Sequence, residues 1–343
     1  MKISFNYLFV FIIFFMIITL LIPKNRNSIF FVPKGWPKPN YNFSKNNFSL
    51  KKFELGRKLF YDPILSKDST ISCASCHLQY SGFSHTDHNV SHGIDGKKGT
   101  RNGLALINLA WNKTFHWDGG VNNLEMQAIN PITHPNEMGN SLNNLISKLN
   151  SNFNYKNLFF KAYNDSIIDS KNLLKALASF TVSLVSYNSK YDKYIRHEKG
   201  GTFSIQELNG LKLFRTFCSN CHNEPLFTNF TFANNGLKID PNFNDLGRYN
   251  ITHIQNDSFK FKVPTLRNIE FTFPYMHDGR FNKLSEVINH YANINLNEIK
   301  QLNLDIKEPI TITENQKKDL VAFLFTLTDL DFLYNKTFSY PFK

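Results

Sequence analysis

The chain of 343 residues contains only four cysteines, and charged residues make up just 19% of it. The cysteines fall in two pairs, Cys73 with Cys76 and Cys218 with Cys221, so none is left for a disulfide framework, a regulatory thiol or a lipid anchor. The pairs lack the βαβ surroundings of a thioredoxin-like redox motif. No lysine-rich run is interleaved with aromatics, so a formal net charge of +12 gives no reason to expect nucleic acid as a partner. A small-x-small cleavage pattern is missing after the apolar stretch at residues 5–22, which lies between Lys2 and the pair Lys24 and Arg26. That stretch is long enough to cross a bilayer, and residues 1–23 read as an uncleaved membrane anchor rather than a removed signal peptide.

What the sequence does have is a histidine directly after each pair, in Cys73-Ala-Ser-Cys76-His77 and Cys218-Ser-Asn-Cys221-His222. C-x-x-C-H is the form that tethers haem c: two thioethers hold the porphyrin and the adjacent imidazole becomes an axial ligand of the iron. A zinc site built from the same pairs would leave both histidines unexplained. Two covalently bound haem c groups are therefore expected. Bacterial c-type maturation takes place outside the cytoplasmic membrane, so the body is expected in the periplasm or cell envelope, held to the inner membrane by its anchor. The basic balance suits electrostatic steering of an acidic redox partner.

Residues 24–49 are rich in Pro, Asn and aromatics without helical periodicity and read as a tether. Phe53, Leu55, Leu59 and Phe60 predict an amphipathic helix over 50–61, stopped by Pro63. The stretch from His77 to Trp117, with five glycines, reads as loop. Helices are expected at 142–149 and 173–187. Ser204 with Glu207, and Thr313 with Gln316, are capping boxes that predict helices reaching Phe214 and Leu327.

These segments repeat. Gly56-Arg57-Lys58-Leu59-Phe60 returns as Gly210-Leu211-Lys212-Leu213-Phe214. Arg101-Asn102 and Trp117-Asp118-Gly119 return as Arg267-Asn268 and His277-Asp278-Gly279. The expected architecture is all-α: two cytochrome c-like haem domains related by internal duplication, at 50–199 and 200–343, with the boundary at Gly200-Gly201 after the charged run 190–199.

With each motif histidine on one side of its iron, function turns on the opposite side. In the first half, Glu137 is a candidate to move a proton between the two oxygens of peroxide, with Gln127 as a hydrogen-bonding partner. By spacing alone, a solvated loop acid is the better reading of Glu137. In the second half, Tyr291, His290 and Met276 are open alternatives as the distal ligand. Leu284, Val287, Ile288 and Tyr291 share one helical stripe, so Tyr291 also reads as a core residue.

From Leu50 to the last helix the sequence resembles the bacterial dihaem cytochrome c peroxidase and MauG family. The stretches that carry the resemblance are Gly99-Thr100-Arg101-Asn102, Trp117-Asp118-Gly119, Asn130-Pro131 through Pro135-Asn136-Glu137-Met138-Gly139, and Phe261-Lys262-Val263-Pro264-Thr265-Leu266-Arg267-Asn268 through Pro274-Tyr275-Met276-His277-Asp278-Gly279. The resemblance implies that Glu137 is the catalytic glutamate with Gln127 beside it, and that Trp117 lies between the haems as an electron relay. It further implies a calcium ion held by Asn102, Thr272 and Pro274. His92 would be the displaceable histidine on the first iron, with His85 and His88 as rivals. Tyr291 would stand where ordinary members have methionine and MauG has tyrosine, which lowers the potential of the second haem.

The function expected is reduction of hydrogen peroxide to water with electrons from a small redox protein, a cytochrome or a cupredoxin. A MauG-like oxidase acting on a protein or small molecule, and a non-enzymatic dihaem electron carrier, are the alternatives. Whether the chain forms a homodimer is left open by the sequence.

Overall fold

In the computed structural model the described residues are 30–295, 304–306 and 308–341. The apolar stretch expected to be an anchor lies outside them. Among the described residues, no helix is long and apolar enough to cross a membrane. Among the described residues, eight helices of six residues or more carry the body: α1 (Leu50–Tyr61), α2 (Leu142–Asn150), α3 (Phe153–Tyr163), α4 (Ser170–Thr181), α5 (Lys190–Ile195), α6 (Ile205–Phe217), α7 (Leu284–Ala292) and α8 (Glu314–Phe325). The only named strands among the described residues, β1 (Phe232–Ala233) and β2 (Phe261–Lys262), pair antiparallel, with Phe232 opposite Lys262. The structure is thus mainly helical, as expected.

Helix α1 begins where the Ser49 hydroxyl accepts the Lys52 N–H, and it gives way to Asp62-Pro63. It buries Phe53, Leu55, Leu59 and Phe60 and packs on α4. Gly56 makes that approach possible, since a Cβ there would sit 1.9 Å from the Ala176 carbonyl oxygen. Helix α6 packs on α8 in the same manner, and a Cβ on Gly210 would sit 2.0 Å from the Asp319 carbonyl oxygen. Each helix pair closes over its own aromatic cluster: Phe53, Phe60, Phe83 and Phe180 in the first, and Tyr191, Phe214, Phe227 and Phe323 in the second. Each fully buried Phe contributes about 1.5–3 kcal/mol.

Both capping boxes form. Helix α6 runs three residues beyond the expected Phe214 and thereby delivers Cys218 as its C-cap, and α8 stops at Phe325. Helix α4 begins at Ser170 and stops at Thr181, six residues before the expected Tyr187. The cause is competition for the backbone. Asn108 takes both the N–H and the C=O of Ser186, and Asp329 accepts the N–H groups of Tyr187 and Asn188.

Residues 32–343 cluster as one compact unit. The stretch expected to be a tether is packed where it is described: Trp36 meets Trp111 edge-on, Trp111 donates to the Pro37 carbonyl, and Asn46 donates to the Lys175 carbonyl of α4. Tyr191, before the expected domain boundary, packs in the second aromatic cluster.

Candidate haem and catalytic sites

The first motif forms a one-turn helix, Cys73–Cys76, after which the His77 N–H bonds back to the Cys73 carbonyl. That turn puts both thiols and the imidazole on the wall of one cavity of about 720 Å³. The volume is within the roughly 300–1,000 Å³ of cofactor sites. His77 Nδ1 donates to the Phe83 carbonyl at 2.7 Å, which leaves Nε2 free for a metal. Burial pushes His77 down to about 4, so it is neutral and ready to ligate. Burial also raises the thiols, Cys73 to about 12 and Cys76 to about 11. Both are thus thiols rather than thiolates, and the residues fit a covalently attached haem.

Glu137 and Gln127 line that same cavity. Gln127 ends a one-turn helix, Leu124–Gln127, whose cap Asn123 accepts the Glu125 N–H at 2.8 Å. Glu137 is fixed by its backbone, donating to the His134 carbonyl and accepting from the Ile94 N–H. Gly93 lets the neighbouring loop approach, for a Cβ there would lie 2.1 Å from the Asn136 carbonyl oxygen. The Glu137 carboxylate is close enough to both motif cysteines to disfavour their thiolates. Burial raises the pKa of Glu137 above the usual carboxylate value, against a smaller opposing pull from His134.

His92 lines the cavity as well, and its carbonyl accepts from Cys76 Sγ at 3.3 Å. Its ring, however, faces His88, Nδ1 to Nδ1 at 3.1 Å, and His85 packs beside both. The three rival histidines of the sequence thus form one cluster.

In the second half His222 Nδ1 donates to the Phe227 carbonyl at 3.1 Å, the counterpart of the His77 bond. Tyr291, on α7, lies beside Cys218 and Cys221. Burial pushes its phenol up to about 12, the thiols push the same way, and the Asn235 amide opposes them. Asn235 also donates to Met276 Sδ at 3.4 Å, so two of the three distal candidates meet at one amide. His290 turns its Nε2 to the Asn235 carbonyl at 3.0 Å.

Trp117 stands where the halves meet. It is buried, donates from Nε1 to the Asn102 carbonyl at 2.8 Å, accepts the Lys262 N–H at 2.7 Å, and lies 6.5 Å centroid to centroid from the His277 ring. Asn102 directs Nδ2 to the Pro274 carbonyl at 2.6 Å and the Met276 carbonyl at 3.3 Å, while its Oδ1 is buried without a partner. These carbonyls face the amide nitrogen, and the unpaired amide oxygen is the atom of Asn102 that suits a hard cation such as calcium. Thr272, on the same segment, has its methyl close to Gly82.

Three residues at these sites escaped the sequence reading. His116 lines the first cavity with Nε2 buried and unpartnered, and its one signal was adjacency to Trp117. Lys262 also lines it, 5% exposed; burial pushes it down to about 8, and its Nζ donates to the Thr114 carbonyl. It shows in the sequence only as a lysine between Phe261 and Val263. Asn235 left no signal at all.

A family model described as di-haem cytochrome c peroxidase matches residues 50–200. The methylamine utilization protein MauG of Methylorubrum extorquens is 33% identical over 301 residues, covering 86% of this chain and 82% of that protein. Cytochrome c551 peroxidase of Nitrosomonas europaea is 33% identical over 280 residues, covering 80% and 79%. Among solved structures, a MauG-like protein associated with microbial copper homeostasis superposes with a TM-score of 0.78 at 30% identity, covering 90% of this chain and 98% of that one.

Proposed function

This chain belongs to the di-haem cytochrome c peroxidase and MauG family, and from that premise we propose that it is an oxidoreductase reducing hydrogen peroxide at the first haem with electrons delivered through the second. The observation that carries the reading is Glu137, a carboxyl with a raised pKa on the wall of the cavity that also holds Cys73, Cys76 and His77. Cys73 and Cys76 would hold the porphyrin and His77 its iron, and the haem would supply a binding position for peroxide and the electrons that break its O–O bond. Glu137 accepts the proton of the near peroxide oxygen and returns it to the far one, so that water leaves. Its raised pKa favours holding that proton between acceptance and return. Gln127 orients the peroxide by hydrogen bonding, and the buried side chains of Leu124, Ile132 and Met138 keep bulk water from the same wall. Two electrons and two protons convert one peroxide to two waters.

Cys218, Cys221 and His222 would hold a second haem that would take up electrons from the donor, and Trp117, whose contacts with Asn102, Lys262 and His277 join both halves, is the relay toward the first cavity. The donor is a small redox protein, a cytochrome or cupredoxin, attracted by the +12 balance. Calcium at Asn102, Thr272 and Pro274 ties the junction. The matched positions of Gly56 and Gly210 and of His77 and His222 support an origin by duplication into domains at 50–199 and 200–343. Covalent haem attachment supports a periplasmic site of action.

The experiment is turnover of peroxide by the haem-loaded protein with a reduced cytochrome. Glu137→Gln should lower the rate by about 10²–10⁴-fold, and unchanged turnover would sink the reading.

Tyr291 beside Cys218 and Cys221 favours a second reading, an oxidase of the MauG kind that uses peroxide to withdraw electrons from a protein or small molecule. As a phenolate, Tyr291 would hold the second haem and would favour its ferric state. If Tyr291→Met leaves the spectrum and potential of the second haem unchanged, that reading loses its support.

A further inference from the structure

Three imidazoles converge on the loop between the first motif and Gly99. One ligand nitrogen from each of His85, His88 and His92 lies within 4.8 Å of the others. His88 and His92 meet Nδ1 to Nδ1 at 3.1 Å with their rings at 77°. Two neutral imidazoles in that contact share at most one hydrogen bond, and for two of the tautomer pairings none. Around a tetrahedral cation with bonds of about 2.0–2.1 Å, neighbouring ligand nitrogens lie roughly 3.3 Å apart. The observed separation is close to that of two ligands on one ion.

His85 supplies an independent observation. It is 4% exposed, and neither of its ring nitrogens has a hydrogen-bond partner. A buried, unpaired imidazole is unfavourable unless something ligates it. Its backbone is held against the haem motif, since a Cβ on Gly103 would lie 3.1 Å from His85 Cβ and 3.8 Å from the Cys76 carbonyl oxygen. His92 is held by the turn that returns the chain from Gly93 to Gly99, with Gly93 N–H on the Lys97 carbonyl at 2.8 Å and Gly99 N–H on the Ser91 carbonyl at 2.7 Å.

We propose that His85, His88 and His92 bind one divalent transition-metal cation of the zinc or copper(II) class. Three nitrogen donors without thiolate match that class and reject calcium and magnesium, which require oxygen. The exposure of His88 leaves the fourth position to water. Because the His92 carbonyl touches Cys76 Sγ, the ion sits at the edge of the first haem attachment. The His92 imidazole cannot serve the first iron while it holds this cation.

The test uses the untagged, haem-loaded full chain, stripped with a chelator and then dialysed against zinc in excess calcium. Metal per chain is counted directly and affinity is measured by calorimetry. One zinc per chain is expected, with His88→Gln and His85→Gln each weakening binding by at least ~10-fold and the exposed control His253→Gln leaving it unchanged. In copper(II)-loaded protein, electron paramagnetic resonance should show nitrogen couplings that His88→Gln reduces. Haem content confirms that each variant is folded, and His88 is exposed, so its replacement does not depend on core packing. No stoichiometric zinc, or equal affinity in the parent and His88→Gln, overturns the proposal.

Discussion

In the first half His77 gives its Nδ1 to the Phe83 carbonyl at 2.7 Å, and in the second His222 gives its Nδ1 to the Phe227 carbonyl at 3.1 Å. Gly56 and Gly210 admit the partner helix at the same place in each helix pair. Beyond those shared parts the halves diverge. The first cavity is lined by a carboxyl, an amide and an imidazole with an unpartnered Nε2, Glu137, Gln127 and His116, all able to exchange or accept hydrogen bonds with a small polar substrate. The second site has a phenol and a thioether, Tyr291 and Met276, joined by Asn235, groups that can fill an axial position themselves. A site closed by its own side chain transfers electrons, and one lined by proton carriers does chemistry on a bound molecule.

The Arg-Asn pairs diverge likewise. Arg267 is fully buried on a single carboxylate, Asp192, at 2.8 Å, with Trp36 stacked over its guanidinium at 4.6 Å. Arg101 is part-exposed and bridges two, Asp245 at 2.6 Å and Asp118 at 2.5 Å. One ion pair is a rigid internal brace, and the other is a shared clamp.

The largest test of the comparison is Glu137→Gln, which should remove about 10²–10⁴-fold of peroxide turnover while the spectrum and potential of the second haem stay put. In the parent, the acid limb of the rate profile should lie above the ordinary carboxylate range, since the proton-accepting form is lost as pH falls through a raised pKa.

Next in size, Asp192→Asn should cost about 3–5 kcal/mol in denaturant unfolding by stranding a buried guanidinium. Asp245→Asn should cost less, because Asp118 still pairs with Arg101. Burial alone would raise Asp192, but Arg267 and Ser189 outweigh it and hold the pKa below the ordinary value. A depressed carboxylate stabilises the fold fully above its unfolded pKa, so this contribution should fade as pH falls through the lowered folded value. The Asp192→Asn penalty measured near pH 7 should therefore shrink in acid.

Tyr291→Met should raise the second haem's potential by on the order of 0.1–0.2 V, within the ~0.8 V that axial ligands command, and leave the first haem's spectrum unaltered. The smallest pair is Gly56→Ala and Gly210→Ala. Each drives a methyl into a backbone carbonyl and should cost about 1–3 kcal/mol. Similar losses in thermal unfolding would support equivalent helix pairs, and a neutral result at either site would break the equivalence.

Legibility in the sequence followed the range of the forces involved. Helix α1 was readable to the residue because its cap, apolar stripe and stop are all local. Helix α3 was missed because its apolar residues run round the whole helix: Tyr155 and Phe159 are buried, but Phe153 is 80% and Phe160 51% exposed, and no single stripe emerges. Helix α5 was read only as a charged run, since Asp192 serves both as a capping residue and as the partner of the distant Arg267. His116 and Lys262 were invisible as site residues for a similar reason, because nothing local marks them as facing the first cavity.

The sequence by itself determined that there are two haem attachments. Two thiols and an imidazole within five residues suffice for that chemistry, and one turn of backbone positions all three. What completes each site was decided by tertiary structure. Glu137 lies sixty residues from its motif and Tyr291 about seventy from its own, and over such distances only packing fixes which side chain meets which cavity. The grouping of His85, His88 and His92 belongs to the same class: three histidines on one loop, brought to a common point by the turn at Gly93 and the burial of His85.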